Sequence, residues 1–441
     1  MTGETGDVAP ARVIRWKMDF DKQCLLGCFD RRGWERCSDA SDQDWHVYWA
    51  NVGTVKQLFS PDCVYRLRDG QLINHFPNHY ELTRKDLLVK NIKRYRKELL
   101  ALQQQQQQQR PRSSAPAGPQ RGTHWQTVAD ADVNPGALAH VPCNFLPPTY
   151  VLPVDYSLFL EEFRRNPNSV WIMKPTSKAR GVGIFLVTKL HQIKKWASKG
   201  NGQDVYVISK YIERPLLIGG RKFDLRMYVL VTSYRPLKAF LYQDGFARFC
   251  NEKYSGSAAD RDNHYMHLTN VAVQKHNEDY NENHGGKWSL ANLRLYLQAM
   301  YGADATARLF EELESVILVS IKAVQNVIMN ERHCFECYGY DLLIDENLKV
   351  WLIEVNASPA LTATTKSDRS LKHSLVHNIF NILLPEDLPE NPKEREQRMQ
   401  EIIASSNFVT LCNEESSATA SSALTSSSSS VPARRVTGTW R

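Results

Sequence analysis

Residues Tyr338 to Pro359, YGYDLLIDENLKVWLIEVNASP, decide the fold, because they read as one β-hairpin that gathers oxygen ligands. Leu342-Leu343-Ile344 and Val350-Trp351-Leu352-Ile353 are short apolar runs, and Asp345-Glu346-Asn347 between them is turn chemistry. Side chains alternate faces along a strand, so Glu354 and Asn356 point one way, Val355 points into the core, and Asp341 comes opposite or diagonal to the polar pair. Two carboxylates and an amide oxygen suit Mg²⁺, which takes few protein ligands and completes its octahedron with water and phosphate oxygens. An ordinary hairpin with solvated acids fits the same letters. The polar turn Asn356-Ala-Ser-Pro, directly after a buried strand, favours the metal site.

The chain around this hairpin has 441 residues, more than one ordinary core, so two or three domains are expected. Its 42% hydrophobic and 23% charged residues are those of a globular protein. No apolar run approaches the roughly 18 residues of a membrane span, and residues 1–16 lack the apolar core of a signal peptide, so a cytoplasmic protein without a membrane partner is expected. Nine scattered cysteines fit reduced thiols better than a disulfide framework, and Cys334-Phe-Glu-Cys337 has no second such pair to complete a zinc site. The net charge of +7 favours an acidic partner, with nothing in the sequence pointing to nucleic acid.

Four segments follow in order. Residues 10–80, rich in tryptophan and tyrosine, read as a small α/β unit. Residues 81–210 form a central domain that opens on the apparent capping box Thr83-Arg-Lys-Asp86 and a helix with Leu88, Ile92, Tyr95 and Leu99 on one stripe. The other faces of that helix carry Lys90, Lys93, Arg94, Arg96 and Lys97, either merely solvated or suited to an acidic polymer. A Gln-, Pro- and Ser-rich stretch at 103–142 reads as a disordered insertion. Residues 211–386 form a C-terminal domain carrying the hairpin, and 387–441 a disordered, charged and then Ser-rich tail.

Several constellations add chemistry. Val170-Trp-Ile-Met-Lys174 is a strand ending in lysine, followed by the loop 175–183, PTSKARGVG, whose glycines let backbone N–H groups close on an anion. The Walker pattern is absent, so this is a different phosphate clamp. Val205 to Ile212 is a strand flowing into Glu213-Arg-Pro, where backbone groups can read an adenine edge. In Arg221-Lys-Phe-Asp-Leu-Arg-Met-Tyr-Val229 the period is two: Lys222, Asp224 and Arg226 share one face, and Phe223, Leu225, Met227 and Val229 the other. A solvated face explains that pattern as well as a nucleotide cleft does. His267-Leu-Thr269-Asn270 places polar groups at the head of another expected strand.

In this order, the motifs MKPTSKARGVGIFL, SKYIERPLLIGGRKFDLRMYVLV, MHLTNVAVQK, GGKWSL and CFECYGYDLLIDENLKVWLIEVNASPAL resemble the tubulin tyrosine ligase-like family, polyglutamylase branch. The resemblance runs from about Val13 to Leu384, interrupted by the Gln-rich insertion. It implies an ATP-grasp fold of class α/β (α+β), with a small N-terminal domain and the nucleotide in the cleft between the central and C-terminal domains. It further implies ATP held by Lys174, Lys222, Arg180 and Gly181, with adenine at Ser209, Lys210, Tyr211 and Ile212, and with Asp224, Thr269 and Asn270 completing the site. Asp341, Glu354 and Asn356 would hold Mg²⁺, and Arg248, Lys287 and Lys372 the incoming free L-glutamate. Lys174 and Arg226 are the candidate catalytic residues, Arg226 for the oxyanion. One departure is Val182, where close relatives often carry lysine between the loop glycines. The implied activity is ligation of glutamate to glutamate side chains of acidic tubulin tails, with accessory subunits as partners, on the cytoskeleton and at the cilium axoneme or basal body. The alternatives are another amino-acid ligase of the same fold, such as a glycylase, or a non-catalytic microtubule-binding module.

Overall fold

The computed structural model describes residues 13–39, 42–109, 143–176, 178, 181–198, 205–281, 286–363 and 365–415. The chain is mixed α/β, built on three sheets. The first is parallel: β1 (Arg15–Met18), β2 (Glu35–Arg36), β3 (Val47–Trp49) and β4 (Leu72–Ile73), in the order β2-β1-β3-β4. The second is antiparallel: β5 (Thr149–Leu152), β6 (Trp171–Pro175), β7 (Phe185–Val187) and β8 (Tyr206–Lys210), in the order β5-β8-β6-β7. The third comprises β9 (Leu217–Ile218), β10 (Arg221–Tyr234), β11 (Leu237–Phe249), β12 (Lys287–Ser289), β13 (Glu336–Ile344), β14 (Val350–Asn356) and β15 (Phe408–Asn413). Its path is β12-β11-β10-β13-β14, with β9 added to β10 and β15 to β11.

The large sheet is covered on both faces. Phe223, Leu225, Met227 and Val229 of β10 alternate into a core shared with Leu313, Val316 and Ile317 of the helix Ala303–Gln325 and with Leu88 and Ile92 of the helix Lys85–Gln109. From the opposite face, Tyr228, Leu230, Phe240 and Tyr242 meet Leu375, Val376 and Phe380 of the helix Lys366–Leu383 and Cys28 and Phe29 of the helix Gln23–Arg31. Such alternation along a strand is what a sheet buried on two faces requires. The second sheet has its own core, closed by Phe159, Phe163 and Ile193 of two flanking helices.

The N-terminal unit is joined firmly to the large sheet. Phe335 N–H donates to the Ile73 carbonyl (2.9 Å) and Ile73 N–H to that of His333 (2.8 Å). The buried His75 Nδ1 lies 2.6 Å from Glu336 Oε1, whose second oxygen accepts Phe76 N–H at 2.9 Å.

Several expectations need correction. Residues 387–415 are not disordered: the helix Pro392–Ser405 and strand β15 follow, with the Phe408 ring 4.9 Å from that of Tyr242 and tilted by 59° to it. None of that helix's residues is fully buried, and Met399 and Ile403, four apart, pack against the core. The expected insertion begins instead as helix through Gln109, and 110–142 and 416–441 lie outside the described residues. The helix Lys85–Gln109, assigned above to the central domain, packs into the core of the large sheet. Thr83 closes the preceding turn rather than capping that helix, its hydroxyl donating to the His79 carbonyl (3.3 Å). Residues 267–270 do not head a strand: Asn263 caps the short helix His264–His267, and Asn270 precedes another at Val271–Gln274.

Candidate active site

A cleft opens between the second and third sheets. Lys174 at the end of β6 lines it, as do Gly181 in the following loop and Ser209, Lys210, Tyr211 and Ile212 at the end of β8. Lys222 and Asp224 of β10, Thr269 and Asn270, Asp341 of β13 and Glu354 of β14 complete the polar lining. Its apolar part includes Leu88, Ile172, Val207 and Leu352, a surface suited to the face of a planar ring. The glycine loop closes on the cleft because Gly181 adopts φ +81°; a Cβ there would stand 3.0 Å from Val273 Cγ2 and 3.4 Å from Asn270 Oδ1. Arg180 lies outside the described residues.

Sheet register sets the charge order. Asp341 is the direct neighbour of Arg226 on one side and Glu354 on the other, and Asp224 is opposite Arg248, itself opposite Lys287. Arg226 grips Asp341 with both arms, Nε to Oδ1 at 2.6 Å and Nη2 to Oδ2 at 3.1 Å, and Arg248 Nη2 lies 2.9 Å from Asp341 Oδ2. Arg248 also binds Asp224 in bidentate fashion, at 2.8 and 2.5 Å. Burial would raise the Asp341 carboxyl, but the two guanidinium groups outweigh it and hold the acid well below its ordinary range. The same pairing outweighs burial at Arg248 and holds its guanidinium well above the usual value.

The cations of the cleft differ. Burial pushes the Lys174 ammonium down to about 8, against the opposing pull of Glu354. Lys222 is lowered by burial too, and donates to Tyr211 Oη (2.9 Å) and the His267 carbonyl (3.0 Å). Lys85, which sequence reading left as part of a capping box, enters from the first turn of its helix and stands 3.1 Å from Glu354. No strand or loop pattern could have aimed it there.

The structure thus brings most of the candidate residues into one cleft. Asn356 is the exception among the metal candidates: it is not among the residues that line the cleft, and its Nδ2 donates to the Gly339 carbonyl (3.2 Å), which leaves its amide oxygen as an acceptor. Arg226 and Arg248 lie behind Asp341, and Lys287 and Lys372 meet further along around Asp368, at 2.8 Å each. Sequence reading missed that carboxylate, although its i,i+4 spacing to Lys372 was visible. Of the basic helix face, Lys93 and Arg94 are tied to the fold through the Thr149 and Ala323 carbonyls.

The donor set fits a hard divalent cation. Asp341 is held ionised, Glu354 lies beside it in register with its side chain partly open to the cleft, and an amide oxygen follows two residues on. Among the described residues no helix is long and apolar enough to cross a membrane.

The family model described as "Tubulin-tyrosine ligase family" matches residues 65–392. The chain is 50% identical over 385 residues to the protein named probable alpha-tubulin polyglutamylase Ttll1 of Tetrahymena thermophila, covering 86% of this chain and 87% of that protein. It is 40% identical over 358 residues to probable tubulin polyglutamylase ttll-9 of Caenorhabditis elegans, covering 80% and 76%. With probable tubulin polyglutamylase TTLL9 of Rattus norvegicus it shares 38% over 405 residues, covering 84% and 79%. The chain belongs to the tubulin-tyrosine ligase family.

Proposed function

We propose that this protein is an ATP-dependent tubulin polyglutamylase with an ATP-grasp fold, joining free L-glutamate through an isopeptide bond to glutamate side chains of tubulin C-terminal tails. The observation that carries the reading is the continuous row of charge on one face of the large sheet. It runs from Glu354 through Asp341, Arg226 and Arg248 to Lys287 and on to Lys372 of the helix Lys366–Leu383, with Lys222 on the same sheet and Lys174 across the cleft. One end suits a nucleotide triphosphate, the other an amino acid with two carboxylates. The names of the relatives support the same substrate class.

In this reading Lys174 and Lys222 clamp phosphate oxygens under the loop carrying Arg180 and Gly181, and Lys85 contributes a third charge. Ser209 to Ile212 face the adenine, and Asp224, Thr269 and Asn270 the rest of the nucleotide. Asp341 and Glu354, with Asn356, would hold Mg²⁺, which neutralises phosphoryl charge when bound. The acceptor carboxylate takes the phosphoryl group, and the amine of the bound glutamate displaces phosphate from the resulting acylphosphate. Arg226, one step from the metal ligands, faces the oxyanion that develops during this attack; such a donor is typically worth a hundredfold to a thousandfold in rate, roughly. Arg248, Lys287 and Lys372 hold the two carboxylates of the donor. Action on cytoplasmic microtubules, including those of cilia and basal bodies, and dependence on accessory subunits belong to the same reading.

The test is incubation with microtubules, ATP and isotopically labelled glutamate, alone and with cell-derived subunits, followed by mass spectrometry of tubulin tails. Added glutamate residues on tail glutamates are expected. Label from glycine in its place, or none under any condition, overturns the proposal.

A further inference from the structure

Asp368 is fully buried, 0% exposed, on the helix Lys366–Leu383, in a setting unlike that of a helix-surface acid. Lys287 Nζ lies 2.8 Å from its Oδ2, and Lys372 Nζ 2.8 Å from its Oδ1. The lysine side chains are themselves 9% and 6% exposed. Each lysine is steered by a second contact: Lys287 lies over the Phe246 ring at 5.1 Å, and Lys372 donates to the Thr362 carbonyl at 2.6 Å. Thr365 caps the helix by accepting Asp368 N–H at 3.1 Å, which fixes the carboxylate at the helix start.

Two buried ammonium groups on a shared site repel, and burial favours loss of a proton from one of them. A common anion removes that penalty. Burial would raise the Asp368 carboxyl, but Lys372 and Lys287 outweigh it and hold it below its ordinary value, so the anion is present at neutral pH. Burial lowers Lys372, and Asp368 opposes that fall. Next along the sheet stands Arg248, opposite Lys287 in register and satisfied by Asp224 and Asp341. Arg226 and, from the helix Gln23–Arg31, the Cys24 thiol are the other groups whose charge is felt at Lys372 or whose own titration Lys372 influences.

We propose that Asp368 is a positioning residue for amino-acid choice: one carboxylate holds the Lys287 and Lys372 side chains together at a fixed separation, so that the pocket accepts a dicarboxylic amino acid and rejects neutral ones. This rests on the reading of Arg248, Lys287 and Lys372 as the donor pocket. Asp368 touches no reacting atom. It acts through the two lysines, and a surface pair at the same i,i+4 spacing would do little of this, since solvent screens it.

The experiment is calorimetric titration of glutamate and of glutamine into the full chain with Mg²⁺ and a non-hydrolysable ATP analogue, at pH 7 and pH 9. Wild type, Asp368→Asn and Asp368→Glu are compared. Asp368→Asn should weaken glutamate binding by about tenfold or more, leave analogue binding within about twofold, narrow the preference for glutamate over glutamine, and make glutamate binding fall further at pH 9 as Lys372, already lowered by burial, loses its proton. Asp368→Glu, which keeps the charge, should recover most of the affinity and a flat pH response. Wild-type glutamate affinity in Asp368→Asn overturns the proposal, as does parallel loss of glutamate and analogue binding in both variants, the mark of a merely structural residue. A wild-type protein that binds the analogue but no glutamate removes the donor reading itself, a different failure with a different signature.

Discussion

The two walls of the cleft are built on opposite plans. On the wall formed by β10, β13 and β14, the carboxylates are already paired within the protein: Asp341 with two arginines, Asp224 with one, Glu354 with Lys85. On the wall formed by β6 and β8, no carboxylate among the described residues pairs with Lys174, and burial has pushed its ammonium down to about 8. The first wall is a framework in which removing one member strands another in a low-dielectric interior. The second stores an unmatched cation, which costs folding free energy and is repaid only when an anion arrives. Stability and binding are therefore separable by wall.

The largest expected effect breaks the framework wall. Asp341→Asn should abolish ligation and lower unfolding free energy by about 3 to 5 kcal/mol, because Arg226 and Arg248 are left without their shared anion. Chemical denaturation measures it, and an unchanged midpoint would erase the distinction between the walls. Glu354→Gln should be nearly as damaging to ligation yet cost at most about 1 kcal/mol of stability, since its pair with Lys85 is partly open to solvent. Activity and urea melts on one preparation decide that contrast.

On the other wall, Lys174→Met should weaken nucleotide binding by about 1.5 to 3 kcal/mol, as for a lost charge-assisted bond, without lowering the melting temperature. The sign with pH follows from the same lysine. Its folded value of about 8 lies below the ordinary 10.5, so between those limits the unfolded chain binds more protons and stability rises with pH. Nucleotide affinity moves the other way, falling as pH passes 8. Lys174→Met should flatten both slopes, which melting and fluorescence titration from pH 7 to 10 would reveal. The smallest effect sharpens the comparison: Val182, 60% exposed between the loop glycines, should gain less than about 1 kcal/mol in nucleotide affinity as Val182→Lys.

How much of this was legible depends on the range of the interaction. The shared neighbourhood of Asp341 and Glu354 follows from period-two alternation over a few residues, and the structure puts them side by side. The apolar face of β10 was readable for the same reason. What could not be read is strand order. Arg226 meets Asp341 across 115 positions of sequence because β10 lies beside β13, and local pattern carries no record of that neighbour. Lys85 was hidden by a helix whose apolar stripe says what it packs on but not what its first turn points at. His267 to Asn270 looked like a strand start because Leu268 and Val271 are apolar, whereas Asn263 and Asn270 open short helices.

The strand β15 carries a practical consequence. It supplies the hydrogen-bonding partner for β11 from Lys238 to Tyr242, and Phe408 covers the ring of Tyr242. A chain cut at 386, where charge density alone suggests the fold is complete, would leave that sheet margin and its aromatic surface bare, a ready template for a second copy of the same strand. Such a shortened protein would fail by self-association on the column and in the concentrator, and an assay on the small fraction that survived would wrongly credit the missing segment with a part in the chemistry.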